Sequence, residues 1–263
     1  MKIAIFTANG IRHKFIANTL AKNADDALII SECHNNQSII GSIEEAKITP
    51  IEEHFMLRNK TESEMFAGND YFQADTLPVL YKEANLAYTY KVVKEFNPEL
   101  MFVFGSSIIK EPLLSLLPKG RFINLHLGLS PYYRGSGTNF WPFINQELDY
   151  VGSTLLSLDN GIDTGDIIAH VRPEFELTDN VHTIGCKVIK NSVGRLINIM
   201  EAVKSGSKIN MVKQWEAENP KYYRNADFNE GILKTYYNLL NAGLVKKYIQ
   251  SPKKQIKLVN FND

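Results

Sequence analysis

The stretch INLHLGLSPYYRG, residues 123–135, alternates from Ile123 to Leu129. On a strand, Ile123, Leu125, Leu127 and Leu129 face one way, and Asn124, His126 and Gly128 face the other. The alternation stops at Pro131, Tyr132, Tyr133, Arg134 and Gly135, a turn-forming run. A primary amide and an imidazole two positions apart on one strand face project into one space, about 7 Å apart along the chain. Both can donate hydrogen bonds to a single oxygen, and an imidazole can also move a proton near neutral pH. The pair suits a carbonyl whose oxygen gains negative charge. A hydrogen-bonded pair inside the core is the alternative that spacing alone leaves open.

The flanking sequence supplies a frame for that strand. KIAIFT (2–7) reads as a buried strand ending at the turn Asn9-Gly10, and RHKFIANTLAKN as a helix with Phe15, Ile16 and Leu20 on one face. ALIISE (27–32) is a second strand, so the opening predicts an α/β fold with a Rossmann-like, mostly parallel sheet. Residues 35–75 are polar and mixed, irregular or partly helical. The segment 77–97 ends in a helix carrying Val92, Val93 and Phe96 on one face, and a buried strand follows at 100–104, closed by Gly105. Residues 151–159 and 166–173 read as two strands joined by NGIDTG. Ile184, Val188, Ile189, Val193, Leu196, Ile197 and Met200 form one stripe of a long helix over 183–203, which Gly206 closes. These elements make residues 1–205 the main domain. Residues 206–263, with a helix near 229–250 and a last strand QIKLVNF, read as a small C-terminal α+β subdomain.

With 263 residues, 44% of them hydrophobic, the chain is large enough for a full core. Lys plus Arg and Asp plus Glu both number 29, and this neutral balance leaves no electrostatic footprint for nucleic acid. The lysines at 246, 247, 253, 254 and 257 read as a solvated surface. Cys33 and Cys186 stand alone, which argues against a disulfide framework or a thiolate metal site. The apolar run Ile3–Phe6 is too short for a signal segment, and no run of eighteen apolar residues marks a membrane span. A cytoplasmic protein is the expectation.

A second polar cluster lies in LDNGIDTGDII (158–168), where Asp159, Asp163 and Asp166 sit between two apolar strands. Such aspartates orient an imidazole or order a water; they also make turns with their own backbone. Taken together, NLHLGLSPYYRG (124–135) and GSTLLSLDNGIDTGDIIAH (152–170) resemble the folate-dependent formyltransferase family over roughly residues 1–200. That family includes phosphoribosylglycinamide, methionyl-tRNA and sugar-nucleotide N-formyltransferases, and the chain looks most like the last. One departure is Gly128-Leu129-Ser130-Pro131, where the family usually has Ser-Leu-Leu-Pro.

The resemblance implies a formyltransferase fold and a catalytic trio of Asn124, His126 and Asp163. It implies transfer of a formyl group from 10-formyltetrahydrofolate, with the folate ring held by the segment Phe104, Gly105, Ser106, Ser107, Ile108 and Ile109 and with no metal. The acceptor class follows from what the chain lacks. It is too short and too little charged for a full tRNA-binding domain, and longer than a purine-pathway enzyme needs. A nucleotide-linked amino sugar for surface polysaccharide or O-antigen synthesis is therefore expected. The methionyl-tRNA and phosphoribosylglycinamide activities are alternatives, and a catalytically silent sugar-nucleotide-binding module is the non-enzyme alternative. Asn9, Gly10, Arg12 and His13, at a helix N-terminus after the first strand, are the expected phosphate site. Tyr133, Arg134 and Trp141 complete the expected substrate pocket. PKYYRNADF (220–228) either contributes to a homodimer interface or covers the core. Neither a Gly-x-Ser-x-Gly nor a dinucleotide fingerprint is present, which excludes the common hydrolase and dehydrogenase readings.

Overall fold

The computed structural model describes residues 1–33 and 48–261. A seven-stranded sheet runs through it in the order β3-β2-β1-β4-β5-β7-β8. These are β1 (Lys2–Ala8), β2 (Asp26–Cys33), β3 (Asp75–Leu80), β4 (Leu100–Phe104), β5 (Phe122–His126), β7 (Ser153–Ser157) and β8 (Ile167–Val171). The first five pair in parallel, while β7 runs antiparallel to both β5 and β8. The crossovers carry α1 (Ile11–Ala21), α2 (Pro50–Met65) and α3 (Ala87–Phe96). Because β1 and β4 lie side by side with the chain leaving them in opposite directions, a crevice opens beyond their C-terminal ends, where ligands of open α/β sheets gather.

Both faces of the sheet are covered, which is why the parallel strands read as continuous apolar runs. On one face, Ile3, Ile5, Phe102, Ile123 and Leu125 pack against Ile16 and Leu20 of α1 and against Ile189, Val193 and Leu196 of α5 (Val181–Lys204). On the other, Phe6, Ile30, Val103 and Phe122 pack against Val93 of α3. Each fully buried side chain of this size contributes about 1.5–3 kcal/mol. The helix starts are chemically specified. Thr49 caps α2 in a reciprocal box with Glu52, and Pro50 occupies the first turn. Asn180 caps α5 by accepting from the His182 and Thr183 amides. No described helix is long and apolar enough to cross a membrane.

A third core is aromatic. Tyr133 on β6 (Tyr133–Gly135), Phe140, and Trp141 and Phe143 of α4 (Trp141–Ile144) pack with Tyr236 of α6 (Glu230–Asn241) and Val245 of α7 (Leu244–Gln250). β6 pairs in parallel with β9 (Lys221–Tyr223). Two expectations are corrected here. The single helix near 229–250 is two, broken at Gly243, whose φ of +79° ends the first and begins the second. QIKLVNF is not a strand: Val259 donates to the His170 imidazole at 2.8 Å instead of a carbonyl, so no ladder propagates. The segment 77–97 does end in a helix, α3, and its first residues belong to β3, an edge strand, where Pro78 is tolerated. Of the polar stretch 35–75, residues 35–47 lie outside the described residues; the rest contains α2 and the start of β3.

Candidate active site

β5 ends at His126, at the crevice, and its neighbours fix the polar pair there. Ile123 and Leu125 are buried under α1 and α5, so Asn124 and His126 face the other way. His126 Nδ1 lies 3.2 Å from Asp163 Oδ2, and Asn124 Nδ2 donates to Asp163 Oδ1 at 2.9 Å. One carboxylate therefore holds both side chains. On the far side of the ring, His126 Nε2 faces the Tyr133 carbonyl at 3.4 Å. Gly128 follows because a Cβ there would stand 2.6 Å from His126 Nε2.

Asp163 occupies a tight turn between β7 and β8. Its φ of +53° is in the left-handed region, which Asp tolerates better than most residues. Asp159 accepts from the Gly161 amide at 3.0 Å and from Thr164 Oγ1 at 2.9 Å, closing the turn on one side. Gly165 passes so close to β7 that a Cβ would collide with the Ser157 carbonyl oxygen. Lys119 Nζ holds the third aspartate, Asp166, at 2.5 Å.

The trio opens into a cavity of about 1190 Å³. One wall is the segment Val103–Ile109. Its backbone is fixed by buried Glu32, which accepts from the Ser107 amide at 2.8 Å and from the Ser107 hydroxyl, and by Asn85, which donates to the Ile108 carbonyl at 2.8 Å. Ser106 Oγ is buried with no hydrogen-bond partner among the described residues, and Ile108 and Ile162 stand exposed at the rim.

The opposite wall is cationic and aromatic. Arg12 Nη2 pairs with Glu62 at 3.0 Å, and Arg58 approaches the same carboxylate at 3.7 Å, so two guanidinium groups share one anion. Desolvation pushes the Glu62 carboxyl up, opposed by Arg12 and Arg58. His54 and His182 lie beside them with ring centres 4.4 Å apart and their planes tilted by 52°. Burial, then the Arg58 charge, pushes His54 down to about 4. Burial, then His54 and both arginines, pushes His182 down to about 3, and its Nε2 has no partner among the described residues. Trp141 and Tyr223 stack face to face at 4.0 Å with 7° between the planes, and both line the cavity.

These histidines set a pH dependence. Neutral when folded and ordinary when unfolded, they contribute stability that is complete above about 6.5 and falls as pH drops toward 4. At pH 5 the loss is about 2 kcal/mol for each of the two; Glu62, shifted the other way, offsets part of it. The urea midpoint should fall between pH 7 and pH 5, and fall less in His54→Gln. An unchanged midpoint would show that the rings are charged when folded.

Of the residues expected from sequence, Asn124, His126, Asp163, Phe104, Gly105, Ser106, Ile108, Ile109, Arg12 and Trp141 all line this cavity. Asn9, Gly10 and His13 do not. The Gly10 carbonyl starts α1 by accepting from the His13 amide, and the His13 ring lies on Phe104 with centres 4.9 Å apart. Tyr133 and Arg134 also direct their side chains elsewhere. Pairing of β6 with β9 turns Tyr133 into the aromatic core, where its hydroxyl donates to Glu147, and sends Arg134 to Gln214 at 2.6 Å. The sequence reading missed His54, Arg58 and Glu62, which recur every fourth residue on α2; that spacing was the available signal. It also missed Tyr223 and His182. Among the described residues, no group of three or more His, Cys, Asp or Glu side chains is placed to hold a metal ion.

Comparison with known proteins identifies the family and the fold. Residues 1–200 match the formyl transferase family. A methionyl-tRNA formyltransferase of Caldicellulosiruptor saccharolyticus is 35% identical over 144 residues, 54% of this chain and 44% of that protein. The match therefore spans less than half the length of that curated relative. Among solved structures, an N-formyltransferase from Helicobacter canadensis, in complex with folinic acid and dTDP-3-aminofucose, superposes with a TM-score of 0.55 at 18% identity, covering 94% of this chain and 82% of that one. A phosphoribosylglycinamide formyltransferase from Anaplasma phagocytophilum gives the same TM-score of 0.55 at 14% identity, covering 86% and 98%. With three quarters of its length in the family match, and with Asn124, His126 and Asp163 assembled at the crevice, the chain belongs to the formyl transferase family.

Proposed function

We propose that this protein transfers a formyl group from 10-formyltetrahydrofolate to the primary amine of a nucleotide-linked amino sugar, as a cytoplasmic step toward a surface polysaccharide. The observation that carries this reading is a continuous cavity of about 1190 Å³, which joins the trio to a wall where two arginines share one carboxylate. Pockets for one drug-sized ligand run to about 1,000 Å³, so this one has room for a folate and a second substrate. The net positive wall suits a diphosphate, and the Trp141–Tyr223 stack suits a base or sugar face.

10-Formyltetrahydrofolate supplies a formyl group on a nitrogen that departs as an amine. The segment Val103–Ile109 would hold its ring, with Ser106 as an available donor. As an acceptor amine adds to the formyl carbon, Asn124, through the N–H not engaged by Asp163, and His126 stabilise the negative charge on oxygen. One such donor contributes about 3 kcal/mol. His126 carries the amine proton toward the departing nitrogen, and Asp163 keeps the ring oriented. Residues 206–263 act as a subdomain that completes the site with Tyr223.

Mass spectrometry of a panel of nucleotide-linked amino sugars incubated with 10-formyltetrahydrofolate tests the reading: one member should gain a formyl group. The resemblance to methionyl-tRNA formyltransferases favours a second reading. Formylation of methionyl-tRNA, with the sugar panel untouched, would replace the first reading by it. Arg58→Ala should raise KM for the accepted nucleotide sugar about tenfold or more, with little change for the folate, since a lost charged contact is about 1.5–3 kcal/mol. Equal effects on both substrates would place the diphosphate elsewhere.

A further inference from the structure

The catalytic turn is held from outside the family match. Val212 pairs with Ile167 at the start of β8, each donating to the other at 2.8 Å. Continuing that antiparallel register places Gln214 opposite Gly165. Its amide then straddles the turn: Nε2 donates to the Asp163 carbonyl at 2.7 Å and to the Gly165 carbonyl at 2.9 Å. Its Oε1 accepts from Arg134 Nη2 at 2.6 Å. The arrangement admits one amide orientation, because carbonyls require donors and the guanidinium requires an acceptor.

We propose that Gln214, oriented by Arg134, is a positioning residue for formyl transfer, holding Asp163 in the one backbone conformation that serves Asn124 and His126 together. A non-glycine residue at φ +53° persists only when its surroundings over-determine it. Asp159 and Thr164 secure one side of this turn, and among the described residues Gln214 is the side chain that secures the other at Asp163 itself. If the turn relaxes, the Asp163 carboxylate must leave Asn124 Nδ2, His126 Nδ1 or both. Arg134, expected to touch substrate, thus acts two hydrogen bonds removed from Asp163. The C-terminal segment thereby carries the lock for a turn that the main domain builds.

The inference rests on the role given to Asp163 above, so its test has two arms. In the first, the full chain is made with ring-nitrogen-labelled histidine, and the His126 Nδ1–H resonance, assigned by its absence in His126→Gln, is followed by NMR without any acceptor. In the second, turnover is measured with 10-formyltetrahydrofolate and the acceptor that wild type formylates. Gln214→Ala should lose or shift the Nδ1–H signal and lower kcat about 10- to 100-fold with KM for both substrates within about threefold, as expected of a misplaced catalytic group. Gln214→Glu fills the same space and still accepts from Arg134, yet cannot donate to the two carbonyls. It should be as impaired as Gln214→Ala. Recovery of signal and turnover in Gln214→Glu would reduce Gln214 to packing and overturn the proposal, as would an unchanged signal and kcat in Gln214→Ala. Should Gln214→Ala not fold, Gln214→Glu alone decides by the same criteria. A lost signal in both variants, with no formyl transfer even by wild type, would uphold the positioning and overturn the proposed reaction instead.

Discussion

His126→Ala is expected to lower turnover at least about a hundredfold while leaving the fold intact. In the proposed reaction the imidazole contributes twice, as a hydrogen-bond donor to the charged oxygen and as the carrier of the amine proton. Its fold contribution is smaller. Asp163 keeps Asn124 on Oδ1 when the 3.2 Å contact at Oδ2 is gone, and the alanine, at the last position of β5, stays opposite Thr154 of β7. Loss of that single bond costs about 1–3 kcal/mol, a tolerable fraction of domain stability. Steady-state kinetics beside a thermal melt separates the two effects. A well-folded variant with near-normal turnover would remove His126 from the chemistry.

Asp163→Asn should be nearly as damaging, for a different reason. Asparagine accepts the left-handed backbone at this position, so the turn survives. Its side chain offers one acceptor oxygen where the carboxylate offers two. Asn124 Nδ2 and His126 Nδ1 both donate to Asp163, so one of them must face an NH₂ group. The imidazole then turns or changes tautomer, and an imidazolium formed during transfer loses its counter-charge. A drop of about a hundredfold or more in kcat, with KM little changed, is the expected signature. Full activity in Asp163→Asn would show that the carboxylate charge plays no part.

Much of this was legible in the sequence because it is written in side-chain periodicity. The alternation at 123–127 exposes Asn124 and His126 together, and the apolar stripe from Ile184 to Met200 marks α5 directly. The Asp-Thr-Gly turn between two apolar runs located Asp163, although its reach to β5 came from the family resemblance. What stayed hidden has physical causes. The working face of α2 carries His54, Arg58 and Glu62, so hydrophobic periodicity has nothing to register there, and its mean hydropathy is low. Gln214 grips backbone carbonyls, and a carbonyl leaves no trace in residue identity. Tyr133 and Arg134 follow His126 closely in sequence, but β6, paired with β9, sends their side chains to Glu147 and Gln214, and only the Tyr133 backbone carbonyl faces the imidazole.

Whether the Asn124–His126–Asp163 constellation moves a formyl group onto an amine is best decided by an isotope. A labelled formyl carbon is followed from 10-formyltetrahydrofolate in the presence of wild-type protein and nucleotide-linked amino sugars. The label should appear as a formamide on the sugar nitrogen, and His126→Ala should abolish its appearance on the same timescale. Label that stays on the folate, or is released only as free formate, would contradict the formyl-transfer role of the trio.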